Sequence, residues 1–505
     1  MMLFGSSMFV FGLMVTWMTP LWLLSVGAAL GVAVLAVAYG VLFLTSRRLA
    51  DVAMTSVREG ILLPIFYLAV ALTGISVLGI FVIPQLPYLA LIGSVARISA
   101  VGPEDVEIEV PASTHDFDVE LKHRLFELTS FAVESDQPLV IATNITSGLG
   151  QSLALRTAPG SPSTWTKPVT LEKDKGMVPF DDVLRWQVTN VATSPVKMKV
   201  HTVTDIEFPE VRVVPGMALA LIALVGIYLA VRVLMPKIAA IALTTGRESM
   251  SQPLFYVALA VGSFSLLAFI FIPYNTFGED VKMLKDSGLT LIMVLAIMVA
   301  VWSASVSVSE EVEGRTALTV LSKPVTRRQF ILGKFLGILG PVVVLFVVLG
   351  FLFLITVSFK VVYDSREVAK TEPPWQLCYL EMIRILPGLV LAFLETVVLT
   401  AISVAMSTRL PMLANLIVCA SIYVLGHLVP MLVNSSVGKF EIVRFVGQFI
   451  ATILPVLDNF NIQAAVAAGA VVPLSYLGMA LVYCVIYTTA AMLLGLALFE
   501  DRDLA

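Results

Sequence analysis

Long apolar runs separated by short polar breaks dominate the chain. Apolar stretches lie at about 21–45, 64–92, 214–234, 253–272, 288–308, 331–358, 385–407, 411–433 and 474–498. Each is long enough to cross the hydrocarbon core of a bilayer as a helix, which takes about 20 residues. The opening residues 1–19 are also apolar and uncharged and end at Pro20, so they read as a short span, a re-entrant piece or an interfacial piece. With neither a charged start nor a small-residue cleavage site, they do not read as a removed signal segment. The pattern predicts a polytopic α-helical membrane protein of about nine or ten spans.

Residues 93–212 have a different period. Apolar and polar residues alternate in Val106-Glu-Ile-Glu-Val110, Phe117-Asp-Val-Glu-Leu121, Leu184-Arg-Trp-Gln-Val188 and Val196-Lys-Met-Lys-Val200. A period of two marks half-buried strands. Turn signals such as Ser135-Asp-Gln-Pro138 and Pro159-Gly-Ser-Pro162 fall between them. The segment is long enough for one inserted β-sandwich-like domain with its own core. The expected organisation is an N-terminal membrane segment at 1–92, an extracytoplasmic β-rich domain at 93–212, a linking span at 213–235 and a six-span core at 236–505. The region 359–384 reads as a polar outer loop, and 440–454 as an interfacial helix.

Composition agrees with the hydropathy pattern. The 505 residues are 58% hydrophobic and 13% charged, with a mean hydropathy of +0.93. Soluble proteins carry about 25% charged residues. A net charge of −4 gives no reason to expect nucleic acid as a partner. The three cysteines, Cys378, Cys419 and Cys484, form neither a disulfide framework nor a metal-binding spacing. His115, His123, Met198 and His201 match no ligand set, and no metal site is expected. Basic residues favour the breaks near Arg47, Lys237 and 323–334 over Lys282, Lys285, Lys360 and Arg384, which places the first group in the cytoplasm.

The chain repeats itself. Residues 50–84 align with 239–273 without a gap, sharing Arg58/Arg247, Glu59/Glu248, Pro64/Pro253, Phe66/Phe255, Tyr67/Tyr256 and Pro84/Pro273. The same offset pairs Gly27 with Gly216 and Tyr39 with Tyr228. A unit of span, connector and span therefore occurs twice, and internal repeats are common in transport proteins. In the second copy Ile238, Ile241 and Ala242 form the apolar face of a weakly amphipathic helix, with Arg247 and Glu248 on its polar side and Pro253 opening the next span. Gly27-x-x-x-Gly31 and Gly333-x-x-x-Gly337 allow close helix approach.

The one dense charge cluster lies at 309–334. Acids come first (Glu310, Glu311, Glu313) and bases last (Lys323, Arg327, Arg328, Lys334), around a short helix-compatible stretch ended by Pro324. Thr326 and Gln329 have the spacing of a capping box, which predicts a helix start there. This order of acids, Gly314, Thr316, Leu321, Pro324, Arg327 and Lys334 resembles the loop between the second and third spans of type-2 ATP-binding-cassette (ABC) permeases. Together with the elbow-like helix before 253, the resemblance covers about 236–505. It implies that a short helix around 311–322 docks on a separate ABC-type ATPase subunit. Glu310, Glu311, Glu313, Gly314, Thr316, Leu318, Leu321, Pro324, Arg327 and Lys334 would be its coupling residues. It also implies a second permease subunit, and ATP and magnesium held by the partner rather than by this chain. The expected place is the plasma (inner) membrane, multi-pass, with the coupling loop cytoplasmic.

No Gly-x-x-x-x-Gly-Lys-Ser/Thr loop occurs, so no ATP hydrolysis of the P-loop type is expected from this chain and no catalytic residue is assigned. Glu395 is an acid in the middle of an apolar run, and His427 lies in the next run, where the two could meet across antiparallel helices. Charges at such depth face a bundle interior or water. A substrate or proton site and a packing bond both fit. The leading reading is the permease subunit of an ATP-driven exporter. An ion-coupled secondary transporter working through Glu395 is one alternative. A receptor or scaffold acting through the β domain is another.

Overall fold

The computed structural model describes residues 2–82, 88–124, 127–146, 152–159, 161–166, 183–272, 279–310, 325–367, 371–434, 445, 447, 449–450 and 454–500. The chain forms two compact units, Met1–Pro84 with Val213–Ala505, and Gln85–Arg212. It opens with α1 (Met2–Thr45), α2 (Arg47–Arg58) and α3 (Leu63–Val82). The second unit follows, from α4 (Tyr88–Arg97) through eight strands among the described residues. The chain returns to the first unit as α5 (Val213–Leu234), α6 (Pro236–Ser251), α7 (Pro253–Phe271) and α8 (Asp280–Ala304). Beyond these come α9 (Arg327–Glu367), α10 (Trp375–Ile383), α11 (Leu386–Ser407), α12 (Met412–Asn434), the short α13 (Gln463–Ala467) and α14 (Leu474–Glu500). Among the described residues, 8 helices are long and apolar enough to cross a membrane, and α12 is apolar over Met412–Leu428. The protein is thus a mostly helical polytopic membrane protein with a small antiparallel sheet region.

Three expectations change. Residues before Pro20 do not form a separate piece, because α1 runs through Pro20 as one 44-residue helix. A proline inside an apolar span is tolerated where neighbours meet the freed backbone groups. The stretch 359–384 is no open loop either. Its first part completes α9 and its later part forms α10. Part of its charge is taken up by the helices: buried Lys360 donates to the Ile270 carbonyl at 3.0 Å and pairs with Asp364 one turn on at 2.9 Å. Lys285, counted with the outer loops, is a fully buried residue of α8 paired with Glu381 of α10, which Arg384 also reaches at 3.3 Å. Buried lysines persist when a carboxylate meets them. Most of 440–454 lies outside the described residues.

In the membrane unit the core is made by α7, α8, α9, α11 and α14, around residues such as Leu289, Ile292, Ala296, Leu345, Leu349, Phe353, Val398 and Leu399. Lipid tails are as apolar as leucine, so close packing at small residues holds such bundles together. The first Gly-x-x-x-Gly pair works in this way. A Cβ on Gly27 would lie 2.8 Å from the Val214 carbonyl oxygen, and one on Gly31 3.1 Å from the Leu221 side chain, so α1 rests directly on α5.

In the other unit β1 (Pro103–Val110), β8 (Val196–Thr204), β3 (Leu128–Ser135) and β6 (Ser163–Thr166) form one four-stranded antiparallel sheet in that order. A second sheet runs β2 (Thr114–Arg124), β7 (Val183–Asn190), β4 (Val140–Thr146) and β5 (Ser152–Arg156). Val110, Phe131, Val133, Ile141, Trp186, Val188, Val196 and Val200 from both sheets fill one core. All four predicted alternations are strands. On the outer face Lys199 sits across from Glu107 at 2.8 Å, and this hydrogen-bonded pairing holds the Glu107 carboxyl below its usual range. Met198 turns into the core, whereas His201 is exposed and pairs with Asp105.

Candidate functional site: the shoulders of the charged segment

The middle of the charged cluster, 311–324, lies outside the described residues. Glu311, Glu313, Gly314, Thr316, Leu318, Leu321 and Pro324 are therefore not placed, and neither is the Glu310 side chain. The two shoulders that hold this segment are placed. Before it, α8 passes at Ala304 into a π-helical turn, Ser305–Glu310. Such turns insert one extra residue per hydrogen-bonded ring and occur often at functional sites.

Three serines of this turn, Ser305, Ser307 and Ser309, are buried. The α11–α12 hairpin grips them on one side. The Asn415 side-chain amide lies 2.8 Å from Ser305 Oγ and 2.9 Å from both Ser403 Oγ and Ser407 Oγ. An amide has two hydrogens, so it can satisfy two of these three oxygens fully at one time. Ser309 donates to the Leu410 carbonyl at 2.9 Å. From the other side the buried Lys334 of α9 donates to Ser307 Oγ at 3.0 Å and lies over the Phe330 ring. Four helices thus meet at one turn through polar bonds in a water-poor interior, where such bonds are strong and costly to leave unmade.

The trailing shoulder starts with the capping box read from the sequence. Gln329 N–H donates to Thr326 Oγ1 at 3.3 Å, and Gln329 Oε1 accepts from the Thr326 N–H at 3.1 Å. The Arg327 guanidinium then donates to the carbonyls of Phe499 and Glu500 at 3.0 and 2.8 Å. Arg409 adds a bond to the Leu498 carbonyl at 2.7 Å. Two arginines therefore close the C-terminal end of α14, where bare carbonyls and the helix dipole favour cations. Arg327 and Lys334 make these bonds inside the chain.

The elbow helix α6 lies against α9 along the second Gly-x-x-x-Gly pair. A Cβ on Gly333 would lie 2.7 Å from Ile241 Cβ, and one on Gly337 2.8 Å from the Ala242 carbonyl oxygen. Ile238 and Ala242 are buried, Arg247 and Glu248 are exposed, and Pro253 begins α7. The two repeat copies touch here. Arg247 donates to the Glu59 carbonyl, and Tyr228 donates to the Ser56 carbonyl at 3.4 Å.

Deeper in the bundle Glu395 is 1% exposed, and its Oε1 lies 3.5 Å from His427 Nε2 without a hydrogen bond of its own. His427 Nδ1 lies 3.1 Å from the Tyr423 carbonyl, which can only accept, so the ring donates there. The structure brings the two residues together across α11 and α12. Sequence reasoning missed Asn415 and the serines. The signal available was the alternation Ser303-Ala-Ser305-Val-Ser307-Val-Ser309 just ahead of the acids.

No curated protein matches the chain. A model of the ABC-2 family transporter proteins matches residues 226–504, more than half of the sequence. That match contains the elbow, both shoulders of the charged segment and the Glu395–His427 pair. This chain therefore belongs to the ABC-2 transporter family, as a membrane permease of an ABC transporter.

Proposed function

We propose that the chain is the membrane-spanning subunit of an ATP-driven exporter, driven by a separate ABC-type ATPase that docks on residues 309–334. In this reading ATP and magnesium bind the partner, two permease subunits complete the transporter, and the docking segment faces the cytoplasm of an inner (plasma) membrane. The β-rich domain at 93–212 is extracytoplasmic in this reading. The observation that carries the reading is the fixation of both shoulders. The turn before the segment is bonded to α9, α11 and α12, and the start of α9 is bonded to α14. A push on 311–324 would tilt these helices together instead of dissipating in a loop. Glu311, Gly314 and Leu321 are the residues through which the push enters. Replacing all three by Ala, Val and Ser respectively should leave the permease folded, as judged by size-exclusion profile, and abolish co-purification of the ATPase. Undiminished co-purification would sink the proposal.

The Glu395–His427 approach favours one rival, an ion-coupled transporter. The two readings separate with E395Q in proteoliposomes containing the partner ATPase. On the ATP-driven reading transport stays ATP-dependent and E395Q shifts its rate by about threefold or less, the effect of losing one weak polar contact of about 0.6 kcal/mol. Transport that proceeds without ATP and vanishes in E395Q would favour the rival.

A further inference from the structure

A cavity of about 180 Å³ lies where the two repeat copies meet α9. Its walls come from the connector after α2 (Ile61, Leu62), the last turns of α5, the elbow helix (Ala242, Leu243) and the middle of α9 (Leu339, Val343). The lining is aliphatic apart from Tyr228 and Arg232. The Tyr228 hydroxyl is engaged with the Ser56 carbonyl. Arg232 is different: its Nη1 is buried and has no hydrogen-bond partner. Among the described residues no carboxylate pairs with it.

Arg232 is half-buried, and a guanidinium nitrogen held without a partner beside an apolar void is costly unless an anion meets it. No described residue supplies one, which leaves the place open to an anion from outside the chain. Its source follows from the surroundings. α5 is one of the helices apolar enough to span a membrane. Ile227 of the cavity wall is 66% exposed, and Val233 and Leu234 next to the arginine are 57% and 76% exposed. Apolar side chains so exposed on a spanning helix face lipid. The cavity is smaller than the roughly 300 Å³ at which pockets for drug-sized ligands begin, which suits a length of acyl chain and not a whole soluble molecule. Basic pockets between spanning helices are suited to anionic headgroups, and a guanidinium fork matches two phosphate oxygens.

We infer that this cavity is a binding site for one anionic bilayer phospholipid, its phosphate on Arg232 and part of an acyl chain between Ile61, Leu243 and Val343. The lipid completes the joint between the first repeat copy and the elbow helix. The site depends on the membrane location alone and is independent of what docks on 311–324.

The test is native mass spectrometry of the full-length protein in detergent, with phosphatidylglycerol competing against phosphatidylcholine of the same chains. The expected wild-type result is saturable retention of one phosphatidylglycerol, in preference to phosphatidylcholine. R232Q should lower that preference about tenfold, the loss of one charge-assisted contact of about 1.4 kcal/mol, and R232K, which keeps the charge but not the fork, should fall between R232Q and the wild type. V343F, which fills the cavity and leaves the charge, should lower retention of both lipids. Three outcomes overturn the inference: no headgroup preference in the wild type, an unchanged preference in R232Q, or displacement of the lipid by millimolar inorganic phosphate. Should R232Q not be recoverable, the wild-type competition decides alone.

Discussion

Replacing Gly337 by leucine is expected to drive the elbow helix away from α9 and to lower the melting temperature of the purified permease by several degrees. A first side-chain carbon there would stand 2.6 Å from Thr245 Cβ and 2.8 Å from the Ala242 carbonyl oxygen. The second of these is backbone, so no rotamer change relieves it and the whole of α6 must shift. Overpacking of a well-filled site costs about 1–3 kcal/mol when side chains can adjust, and more is expected where a helix must move. The control is Gly350→Ala in the same helix. Its added carbon meets only Leu389, at 3.5 Å, an ordinary contact, and alanine is the better helix former by about 1 kcal/mol. A melting temperature that falls for G337L and holds or rises for G350A is the expected pair of results. Equal shifts would mean that the Gly333/Gly337 seam is not what seats the elbow.

Asn415→Leu is expected to be the most damaging single change outside the docking segment. It removes the donor shared by Ser305, Ser403 and Ser407. Two of these hydroxyls keep a backbone bond, Ser305 to Val301 and Ser407 to Ser403, so the loss falls on their acceptor side. A buried polar group deprived of its partner costs about 1–3 kcal/mol. The added effect is mechanical, because the π-helical turn loses its tie to the α11–α12 hairpin. If the partner ATPase works through that turn, N415L should keep the complex assembled but cut the ATPase stimulation by transport substrate about tenfold. The double variant with Ser305→Ala gives the coupling: bonded groups are non-additive by 0.5 kcal/mol or more, whereas independent sites add. Full additivity in thermal melts would show that the amide does not hold the turn.

Much of this architecture was readable from the residues. The spans followed from hydropathy, because uncharged runs of such length have few other uses. Strands β1, β2, β7 and β8 followed from clean alternation. β3 escaped because a register shift between Leu128 and Ser130 breaks its period, and β6 because it has only four residues. The helices over 359–367 and 375–383 are hard to read from the residues, because charge suggests exposure. Lys360 and Asp364 are one helical turn apart, and pairing within the helix lets both sit against the bundle. At the candidate site the capping box was legible, since it depends on two residues at fixed spacing. The network around Asn415 was not. Serine is neutral in hydropathy, and its role is set by partners about a hundred residues away in sequence.

The family match begins at residue 226, yet the elbow's neighbours include a residue made long before it. Ile61 is 6% exposed and lodges against Gly246 of α6 and Gly340 of α9, filling a notch that only glycines leave open. A chain trimmed to begin at 226 would present that notch empty, with a bare strip of helix backbone toward the bilayer. The matched region, 226–504, is thus shorter than the compact unit that holds it, which also takes in Met1–Pro84.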